Sequence, residues 1–426
     1  MKPPGWCEPV SEEEPPPIGA PYLICLNVPC YRDQQGRRFF DPLWHKDLTQ
    51  HLRYLHNLTL ACPCETGEPP PGAIEGVWSQ PRIQFVDLAA SHNIVEAILH
   101  LPSTAARLWR AIGRADIVHS GVAGWPIPAG WLASLLAAIR GKISVIVVES
   151  APWRLRPGLP ATFRKKLRAS LSETLARWCV RRAQLFIATQ REYLATLPAR
   201  DSNAGHVIHA SWLDDDAILS PEAAAESWRS KSLSPGATLK LVFAGRLDRS
   251  KGILTLLEAM RQSSRERIPV ELNILGQGEL LHECEQAARD LRGAARIRTA
   301  GVLPYGPAFF GVLREHHAMV VPSLSDEQPR VVYDAFSQAV PVLASDTPGL
   351  LECVQHERTG LIAPAGRPAC WARRFRWCLD HPDRLEAMGT AGLEVARGLT
   401  HQEMHRRRWR LLAALIKRPR NGATTR

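Results

Sequence analysis

Short apolar segments alternate with longer amphipathic segments along most of this 426-residue chain. Apolar segments of five to eight residues bounded by turn residues predict buried β-strands, and helical patterns between them predict parallel sheets with helices on both faces. The predicted strands are residues 22–28, 58–63, 82–88, 115–120, 143–150, 183–189, 206–210, 239–245, 270–276, 296–301, 318–323, 341–345 and 359–364. The predicted helices include residues 43–55, 128–140, 161–182, 251–265, 279–292, 305–316, 330–339 and 367–380.

The alternation is interrupted at residues 214–237, where Ser, Pro and Gly are frequent, and this segment is the predicted linker between two domains. A chain of this length is also too long for one ordinary core. We therefore expect an α/β protein with two doubly wound, Rossmann-like domains: an N-terminal domain at residues 20–213 and a second domain at residues 238–395. Residues 1–19 are rich in Pro and Glu and are predicted to be a disordered tail.

The overall charge favours anionic partners. Lys and Arg exceed Asp and Glu by 53 to 42, which gives a net charge of +11. No apolar run approaches the ~20 residues of a membrane span, and the N-terminus lacks the apolar core of a signal peptide. Ten cysteines without a disulfide pattern favour reduced thiols, with a metal site at Cys62 and Cys64 as the weaker interpretation. We expect a cytoplasmic protein.

The segment "VFAGRLDRSKG" places two cations directly after a predicted strand. Gly245 allows a sharp turn there. Arg246 offers paired planar donors, and Lys251 offers a compact charge at the start of a helix. Ligands of doubly wound sheets lie beyond the carboxyl ends of the strands, so these residues are candidates for binding a diphosphate. A solvated charged loop is the alternative.

Two further loops follow strands in the same half. In "LGQGEL", Gly276 either serves a tight turn or allows a ligand to approach. In "VPSLSDEQPRVVYDAF", the backbone amides near Arg330 and Val331 begin a predicted helix and are candidates for holding a phosphate. Asp334, one turn inside that helix, can accept hydrogen bonds from two neighbouring hydroxyls such as those of a ribose. The alternative for Asp334 is that its charge only complements the helix dipole. The alternative for Asp326 is that it caps the helix or is solvated.

These segments resemble a known family. "GRLDRSKG", "LGQGEL", "AGVLPY" and "VPSLSDEQPRVVYDAFSQAVPVLASDTPGLLECVQHERTGLIAP", within residues 239–364, are similar to the C-terminal half of retaining nucleotide-sugar glycosyltransferases of family 4. The resemblance implies the GT-B fold, in which two domains face each other across a cleft. It also implies that Arg246 and Lys251 hold the donor diphosphate and that the backbone of Val302 lies near the base. Residues 396–426 are then a helix that returns to the N-terminal domain, followed by a basic tail.

The pair of acidic residues departs from the family pattern. The family has two glutamates separated by seven residues, and the matching positions here are Asp326 and Asp334, each one methylene shorter. The resemblance places Asp326 by the transferred sugar and Asp334 at the ribose. Gln328 and Pro329 stand where the family has glycine-rich residues, and Pro329 lacks an N–H.

The resemblance implies retaining catalysis without a protein nucleophile, so Asp326 is not assigned as one. On this resemblance, we expect Arg246, Lys251 and the amides at helix ends to stabilise the leaving diphosphate electrostatically. The resemblance implies no cofactor and no metal ion.

The N-terminal half resembles the family only in its layout. Its first loop contains Arg37 among other arginines and aromatic residues, and either binds an acceptor or is a surface loop. His119 and Glu149 end predicted strands and are acceptor-side candidates, with structural roles as the alternative.

Two basic segments raise the question of a surface partner. In residues 161–182, Phe163, Leu167, Leu171, Leu175 and Trp178 recur at helical spacing among many basic residues. This helix either lies on an anionic membrane or packs on the N-terminal sheet. The C-terminal segment is also basic, but no nucleic-acid-binding motif accompanies it, so nucleic acid is not an expected partner.

Together these observations predict a retaining, metal-independent hexosyltransferase. Its donor is a nucleotide diphosphate sugar, and its acceptor is a saccharide or a lipid-linked molecule, as in surface polysaccharide or glycoconjugate biosynthesis. It is expected in the cytoplasm, with contact to the inner face of the membrane. The alternatives are an epimerase or phosphorylase of the same fold, or a nucleotide-sugar-binding protein that has lost catalysis.

Overall fold

A computed structural model of the chain describes residues 16–78, 83–124, 126–155, 162–231, 233–234, 236–325 and 329–417. The chain divides into two compact units. The N-terminal unit contains the described residues up to His209 together with the last helix from Met404 onward, and the C-terminal unit contains residues 210–403. Both units are mixed α/β structures built on parallel sheets, as the alternating pattern predicts.

The sheet of the N-terminal unit has ten strands within the described residues. They are β1 Tyr22–Cys25, β2 Cys30–Arg32, β3 Arg38–Phe40, β4 Leu58–Thr66, β5 Ile74–Glu75, β6 Ile83–Ala89, β7 Ile117–Gly121, β8 Ile143–Val148, β9 Leu185–Ala188 and β10 Gly205–Val207. The path β6-β4-β1-β7-β8-β9-β10 is parallel throughout, and the order of connection reverses between β1 and β7. Strand β2 pairs with β4 in parallel, and β3 and β5 extend the sheet from β2 through antiparallel pairs.

The helices of this unit are α1 Pro42–Tyr54, α2 Ile94–Leu99, α3 Leu101–Arg114, α4 Ala129–Ile139, α5 Phe163–Arg182 and α6 Arg191–Thr196. Helix α1 begins where the Asp41 carboxylate accepts hydrogen bonds from the amides of Leu43 and Trp44, an ordinary N-cap. Helix α4 begins where Asn27, from the loop after β1, accepts a hydrogen bond from the Ala129 amide over 3.0 Å. A residue at the carboxyl end of one strand therefore fixes the start of a neighbouring helix.

Helix α5 packs in the N-terminal unit through only the end of the predicted apolar stripe, where Trp178 contacts the cluster that includes Ile146 and Val148 of β8. Its buried residues are Ser172, Ala176, Cys179 and Val180. Phe163, Leu167 and Leu171 are exposed by 79%, 60% and 57%. The large apolar residues recur at the predicted helical spacing, but most of the packed face consists of the smaller side chains of Ser172, Ala176, Cys179 and Val180.

The C-terminal unit has a six-stranded parallel sheet in the order β13-β12-β11-β14-β15-β16. Its strands are β11 Leu239–Ala244, β12 Val270–Leu275, β13 Ala295–Gly301, β14 Ala318–Val321, β15 Val342–Ser345 and β16 Gly360–Ala363. The order of connection reverses between β11 and β14. Open α/β sheets bind ligands at the carboxyl ends of the strands at such a reversal.

The helices of this unit are α7 Pro221–Ser230, α8 Ile253–Arg265, α9 Leu281–Asp290, α10 Pro307–Arg314, α11 Val331–Ser337, α12 Pro348–Cys353, α13 Pro368–Asp380 and α14 Pro382–Arg397. Helix α7 lies within residues 214–237, the segment predicted to be a linker. Trp228 on this helix is buried and donates a hydrogen bond to the Ala339 carbonyl over 2.9 Å. The segment therefore contributes to the core of the C-terminal unit.

The last helix, α15 (His401–Lys417), passes from the C-terminal unit to the N-terminal unit at Met404. Met404 and Leu412 pack in the same apolar cluster as Tyr22 and Ile24 of β1. In the part of the chain that the structure describes, no helix combines the length and the apolar character that crossing a bilayer requires.

Candidate functional site

The loops after β11 and β14 meet at the point where the C-terminal sheet reverses its order. The amide of Leu324 donates a hydrogen bond to the Ser250 carbonyl over 2.8 Å. A Cβ on Gly252 would lie 1.8 Å from the Pro322 carbonyl oxygen, so only glycine allows this approach. Gly252 also has a φ of +71°, which glycine adopts without strain. The sequence thus holds the two loops in contact.

The first of these loops presents Arg246 and Lys251. Its end is a single turn of 3₁₀ helix at Arg249–Lys251, capped by Asp248, whose carboxylate accepts from the amides of Ser250 (2.8 Å) and Lys251 (3.1 Å). Burial alone would raise the pKa of Asp248, but hydrogen bonds from Ser250 and Lys251 and the charge of Arg246 lower it. Asp248 is therefore ionised and orders the loop, while the Arg246 side chain, 80% exposed and 3.9 Å from Asp248, stays accessible.

The loop after β12 packs directly on this one. The Leu247 amide donates to the Gln277 carbonyl over 2.9 Å, and the Leu280 amide donates to the Leu247 carbonyl over 3.0 Å. A Cβ on Gly276 would lie 1.9 Å from the Gly245 carbonyl oxygen. The close approach of two backbones accounts for Gly276, so this glycine supports the fold of the loop that carries Arg246.

Asp334 lies on α11 near the same strand ends and is buried. Its carboxylate accepts a hydrogen bond from the Tyr305 hydroxyl over 2.8 Å. Burial, then the Asp334 charge, raises the pKa of Tyr305, so the phenol keeps its proton. Tyr305 follows Val302, a residue 64% exposed at the carboxyl end of β13. Sequence reasoning did not single out Tyr305, although it ends the quoted segment "AGVLPY".

The remaining residues that the sequence analysis predicts to bind the donor are at the start of α11. Arg330 precedes the helix with its guanidinium 5.3 Å from the centre of the Trp212 ring, and Val331 is the first helical residue. Asp326 and Gln328 lie outside the described residues. The described residues bring Gly245, Arg246, Lys251, Gly276, Val302 and Asp334 to the carboxyl edge of one sheet.

This arrangement can bind an anion next to a polar, hydroxyl-bearing group. Arg246 and Lys251 provide two cations on a loop held by Asp248, and charge-assisted hydrogen bonds from such groups to phosphate are strong. The Asp334 carboxylate, kept in place by Tyr305, can accept hydrogen bonds from hydroxyl groups. Phosphate binding needs charge that is exposed yet positioned, and this loop has both properties.

The arginine-rich loop of the N-terminal unit is paired within the protein. Arg38 makes two hydrogen bonds to the Asp87 carboxylate, at 2.7 and 3.2 Å, and Arg32 makes a third at 3.1 Å. Arg37 donates to Asp33 over 2.7 Å and lies 3.8 Å from Glu75. The carboxylates of Asp87 and Asp33 therefore neutralise most of the positive charge of the arginines in this loop.

His119 and Glu149 belong to a second internal set of polar groups. His119 lies inside β7, is buried, and its Nδ1 is 3.2 Å from the Tyr22 hydroxyl. Burial, together with the charges of His51 and Arg408, holds the pKa of His119 well below its usual range. Glu149 directly follows β8, is 58% exposed and lies 3.6 Å from the guanidinium of Arg408.

The centre of this set is Asp47, which sequence reasoning missed. Its carboxylate is 3.1 Å from His51, 3.0 Å from His405 and 3.7 Å from Arg408, all buried. The Tyr54 hydroxyl contacts the other ring nitrogen of His405 at 3.1 Å. We call Asp47, His51, Tyr54, His405 and Arg408 the buried polar cluster. No local motif marks it, because its members are up to 361 positions apart in the chain.

One group of ligating side chains within the described residues has metal-like spacing: Asp47, His51 and His405, whose ligand atoms lie within 4.8 Å of one another. The nearby guanidinium of Arg408 disfavours a cation at this place. Hydrogen bonds within the cluster already use the same atoms. The geometry fits a structural network better than a metal centre.

The chain is similar to several known proteins in sequence and in fold. Residues 224–395 match the family described as glycosyl transferases group 1. A D-inositol 3-phosphate glycosyltransferase of Pseudarthrobacter chlorophenolicus is 26% identical over 310 residues, 70% of each chain. Among solved structures, sucrose-phosphate synthase of Thermosynechococcus elongatus is similar with a TM-score of 0.66 and 17% identity, over 93% of this chain and 99% of that one. The Anabaena protein Alr3699/HepE, solved in complex with UDP, is similar with a TM-score of 0.63 and 14% identity, over 92% and 100% of the two chains.

Proposed function

We propose that the chain is a group 1 glycosyltransferase that transfers a sugar from a nucleoside diphosphate sugar with retention of configuration, on the GT-B fold that it shares with similar solved structures. One observation carries the proposal: Arg246 and Lys251, on a loop ordered by Asp248, share a strand edge with Asp334. The similarity to a protein solved with UDP supports a nucleotide donor.

In this proposal, the cations act on the leaving group. Arg246 and Lys251 neutralise the negative charge that develops on the diphosphate as its bond to the sugar breaks, and this stabilisation is electrostatic. The acceptor attacks from the face that the diphosphate leaves, so no protein nucleophile and no metal ion take part. Asp326 and Gln328 are proposed to lie by the sugar and the phosphates.

Asp334 is proposed to hold the donor ribose. Its side chain is one methylene shorter than the glutamate of the resembling family, and Tyr305 fixes its carboxylate in one position. Gly245 is proposed to let the backbone turn close to the diphosphate, and Gly276 is proposed to support that turn through its close approach to the Gly245 carbonyl. Arg330, Val331 and Val302 are proposed to line the nucleotide.

The acceptor is proposed to bind at the carboxyl ends of the N-terminal strands. Glu149 is exposed there and is the best placed of the three acceptor-side candidates. His119 is buried behind Tyr22 and would act as a positioning residue. Arg37, paired with Asp33, would contact the acceptor only at the surface.

A peripheral contact with an anionic membrane is also proposed, at the cytoplasmic face where lipid-linked acceptors of glycoconjugate biosynthesis reside. The first half of α5 is proposed to make this contact, because Phe163, Leu167 and Leu171 are exposed there next to Arg164 and Lys165. Exposed apolar side chains beside basic ones bind anionic interfaces.

The test is donor hydrolysis in the presence of EDTA, with UDP-, GDP- and ADP-sugars and no added acceptor. We expect one donor class to release nucleoside diphosphate and a sugar whose first-formed anomer retains the configuration. Arg246→Ala or Lys251→Ala should slow this release by about 100-fold or more, the typical effect of removing a group that stabilises developing charge.

Lys240→Ala is the matched control, because Lys240 is exposed on β11 of the same unit. It should hydrolyse the donor at the wild-type rate. Wild-type rates in both loop variants would overturn the proposed role of the cations. A nucleotide sugar converted without release of the diphosphate would instead identify an epimerase.

A further inference from the structure

A cavity of about 610 Å³ opens in the N-terminal unit at the carboxyl ends of its strands. The loops after β1, β6 and β7 and the end of β4 line one side, through residues such as Asn27, Glu65 and Ala90. Helices α2 to α5 line the rest. The cavity lies where the order of the parallel strands reverses, the usual ligand position in such a sheet.

The walls of the cavity are mostly apolar. The large side chains are those of Ile127, Trp131, Leu132, Leu135, Leu175 and Trp178. Several polar lining groups are already engaged: the Asn27 side chain caps α4, and the Ser91 hydroxyl is 3.0 Å from His100 Nδ1. A saccharide alone would leave most of its hydroxyl groups without partners against these walls, and a hydroxyl buried without a partner is unfavourable.

The rim of the cavity continues as exposed apolar surface. Helix α2 buries none of its residues, and Ala97 on it lines the cavity while Ile98 and Leu99 are exposed. Leu135 both lines the cavity and is 43% exposed. On α5, Leu171 lies one turn before the cavity residue Leu175. The exposed residues therefore connect the cavity to the surface.

Basic residues adjoin this apolar surface. Arg164, Lys165, Lys166 and Arg168 are all exposed on the first two turns of α5. A phospholipid interface with negative headgroups matches this combination of charge and apolar side chains. These basic residues therefore favour a cavity ligand that is part of an anionic lipid surface.

We propose that the cavity holds the hydrocarbon part of a lipid-linked acceptor, with its polar end at the strand ends near Glu65. This inference rests on the proposed function and assigns the acceptor class of the same enzyme. Each buried methylene strengthens binding by about fourfold, the factor that corresponds to ~0.8 kcal/mol. Affinity should therefore rise with chain length until the cavity is filled.

The test measures binding of alkyl glucosides by calorimetry, with methyl, hexyl, octyl and decyl chains below their micelle concentrations. For the wild-type protein we expect about a fourfold gain per methylene over at least part of the series. Ala97→Trp places an indole at the mouth of the cavity and should weaken decyl glucoside binding at least tenfold. Because α2 is at the surface, this variant should fold.

Ala138→Trp is the matched control, since Ala138 is exposed on α4 and does not line the cavity. It should bind decyl glucoside within about twofold of the wild type. Equal affinity for methyl and decyl glucosides would overturn the proposal, and so would an Ala97→Trp variant that binds like the wild type. A phenyl glucoside that binds more tightly than every alkyl glucoside would also overturn it, because the cavity would then serve a flat ring.

Nucleoside diphosphate binding is measured on the same samples. If UDP, GDP or ADP binds and chain length has no effect, the proposed cavity occupant is wrong and the proposed donor site stands. If none of the three binds to the folded protein, the proposed function itself fails.

Discussion

The two units share a parallel, doubly wound sheet and differ in how they use charge at the strand ends. In the C-terminal unit, Arg246 is exposed on a loop that Asp248 and glycine contacts hold in place. In the N-terminal unit, Arg32 and Arg38 are paired with Asp87, and the strand ends border an apolar cavity. A basic residue in a strand-end loop therefore indicates a ligand site when its side chain stays exposed, as that of Arg246 does (80%), and not when an acid holds it inside the protein, as Asp87 holds Arg38 (18% exposed).

The two units also differ in what holds them together. The C-terminal site depends on backbone packing between loops, at Gly252 and Gly276. The N-terminal unit instead contains the buried polar cluster, which joins α1 to α15 through Asp47. Mutations in the first region should therefore change donor binding, and mutations in the second should change stability.

The largest expected effect is on stability. Asp47→Ala would leave Arg408 and the two histidines buried without their carboxylate, and breaking a buried ion pair in this way costs about 3–5 kcal/mol. Urea unfolding should show this loss in the free energy of unfolding. Asp33→Ala, which removes the partner of the exposed Arg37, is the control and should lower the free energy of unfolding much less. Equal effects of the two substitutions would show that the buried polar cluster has no special role.

The next effect concerns the contact between the two donor-side loops. Gly252→Ala would place a Cβ 1.8 Å from the Pro322 carbonyl oxygen, so the Lys251 loop must move. We expect at least a tenfold loss of nucleoside diphosphate affinity, about 1.4 kcal/mol. Gly236→Ala is the control, because Gly236 has a similar positive φ but no neighbouring atom within 4 Å of the added Cβ. Comparing the two variants separates the effect of backbone strain from that of the steric clash. If both variants bind the nucleotide like the wild type, the loop contact does not form the site.

The buried histidines predict a pH dependence. Burial lowers the pKa of both His119 and His405 well below 6.5, against the opposing effect of the Asp47 charge. Below pH 6.5 the unfolded chain gains protons that the folded chain does not, so stability falls as the pH decreases.

The expected size is up to a tenfold change in the folding equilibrium constant per pH unit for each histidine. Unfolding curves between pH 7.5 and 5.5 measure it. His405→Gln should make the stability less dependent on pH, because it removes one of these two histidines, His119 and His405. The charged and polar groups around it, Tyr22, Tyr54, His51, Asp47 and Arg408, remain in place. A slope identical to that of the wild type would exclude His405 as a source.

The smallest effect concerns Tyr305. Tyr305→Phe removes the hydrogen bond to Asp334, and the loss should weaken nucleoside diphosphate binding by about two- to tenfold. Inorganic pyrophosphate, which has no ribose, should bind the variant and the wild type equally. An equal loss for pyrophosphate would place the effect on the phosphates and contradict the ribose assignment for Asp334.

The sheets could be predicted from sequence because their central strands are continuous apolar runs. The predicted strands at residues 239–245, 270–276 and 318–323 agree with β11, β12 and β14 to within two residues at each end. Strands β2, β3 and β5 were missed, because a strand of two or three residues is too short to show a periodic pattern. Helix α7 was taken for linker because Ser and Pro flank it, although Trp228 anchors it in the core.

The candidate donor-site residues could be proposed from sequence because Gly245 and Gly276 end predicted strands, because Arg246 directly follows one, and because the segments that contain them resemble a known family. The buried polar cluster could not, since it forms only when the last helix packs against α1. Neither could the packing face of α5 be predicted, because the buried face has small residues and the apolar stripe remains exposed at Leu167 and Leu171. Patterns along one element show its apolar face but not its neighbour.

The most direct test of the account is the binding of UDP, GDP and ADP to wild-type, Lys251→Ala and Lys240→Ala proteins by calorimetry. The account predicts that one of the three binds the wild type, that Lys251→Ala weakens it by about 10- to 100-fold through loss of a charge-assisted hydrogen bond, and that Lys240→Ala leaves it unchanged. If none binds the folded wild-type protein, or if Lys251→Ala binds as tightly as the wild type, the carboxyl edge of the C-terminal sheet is not the proposed donor site.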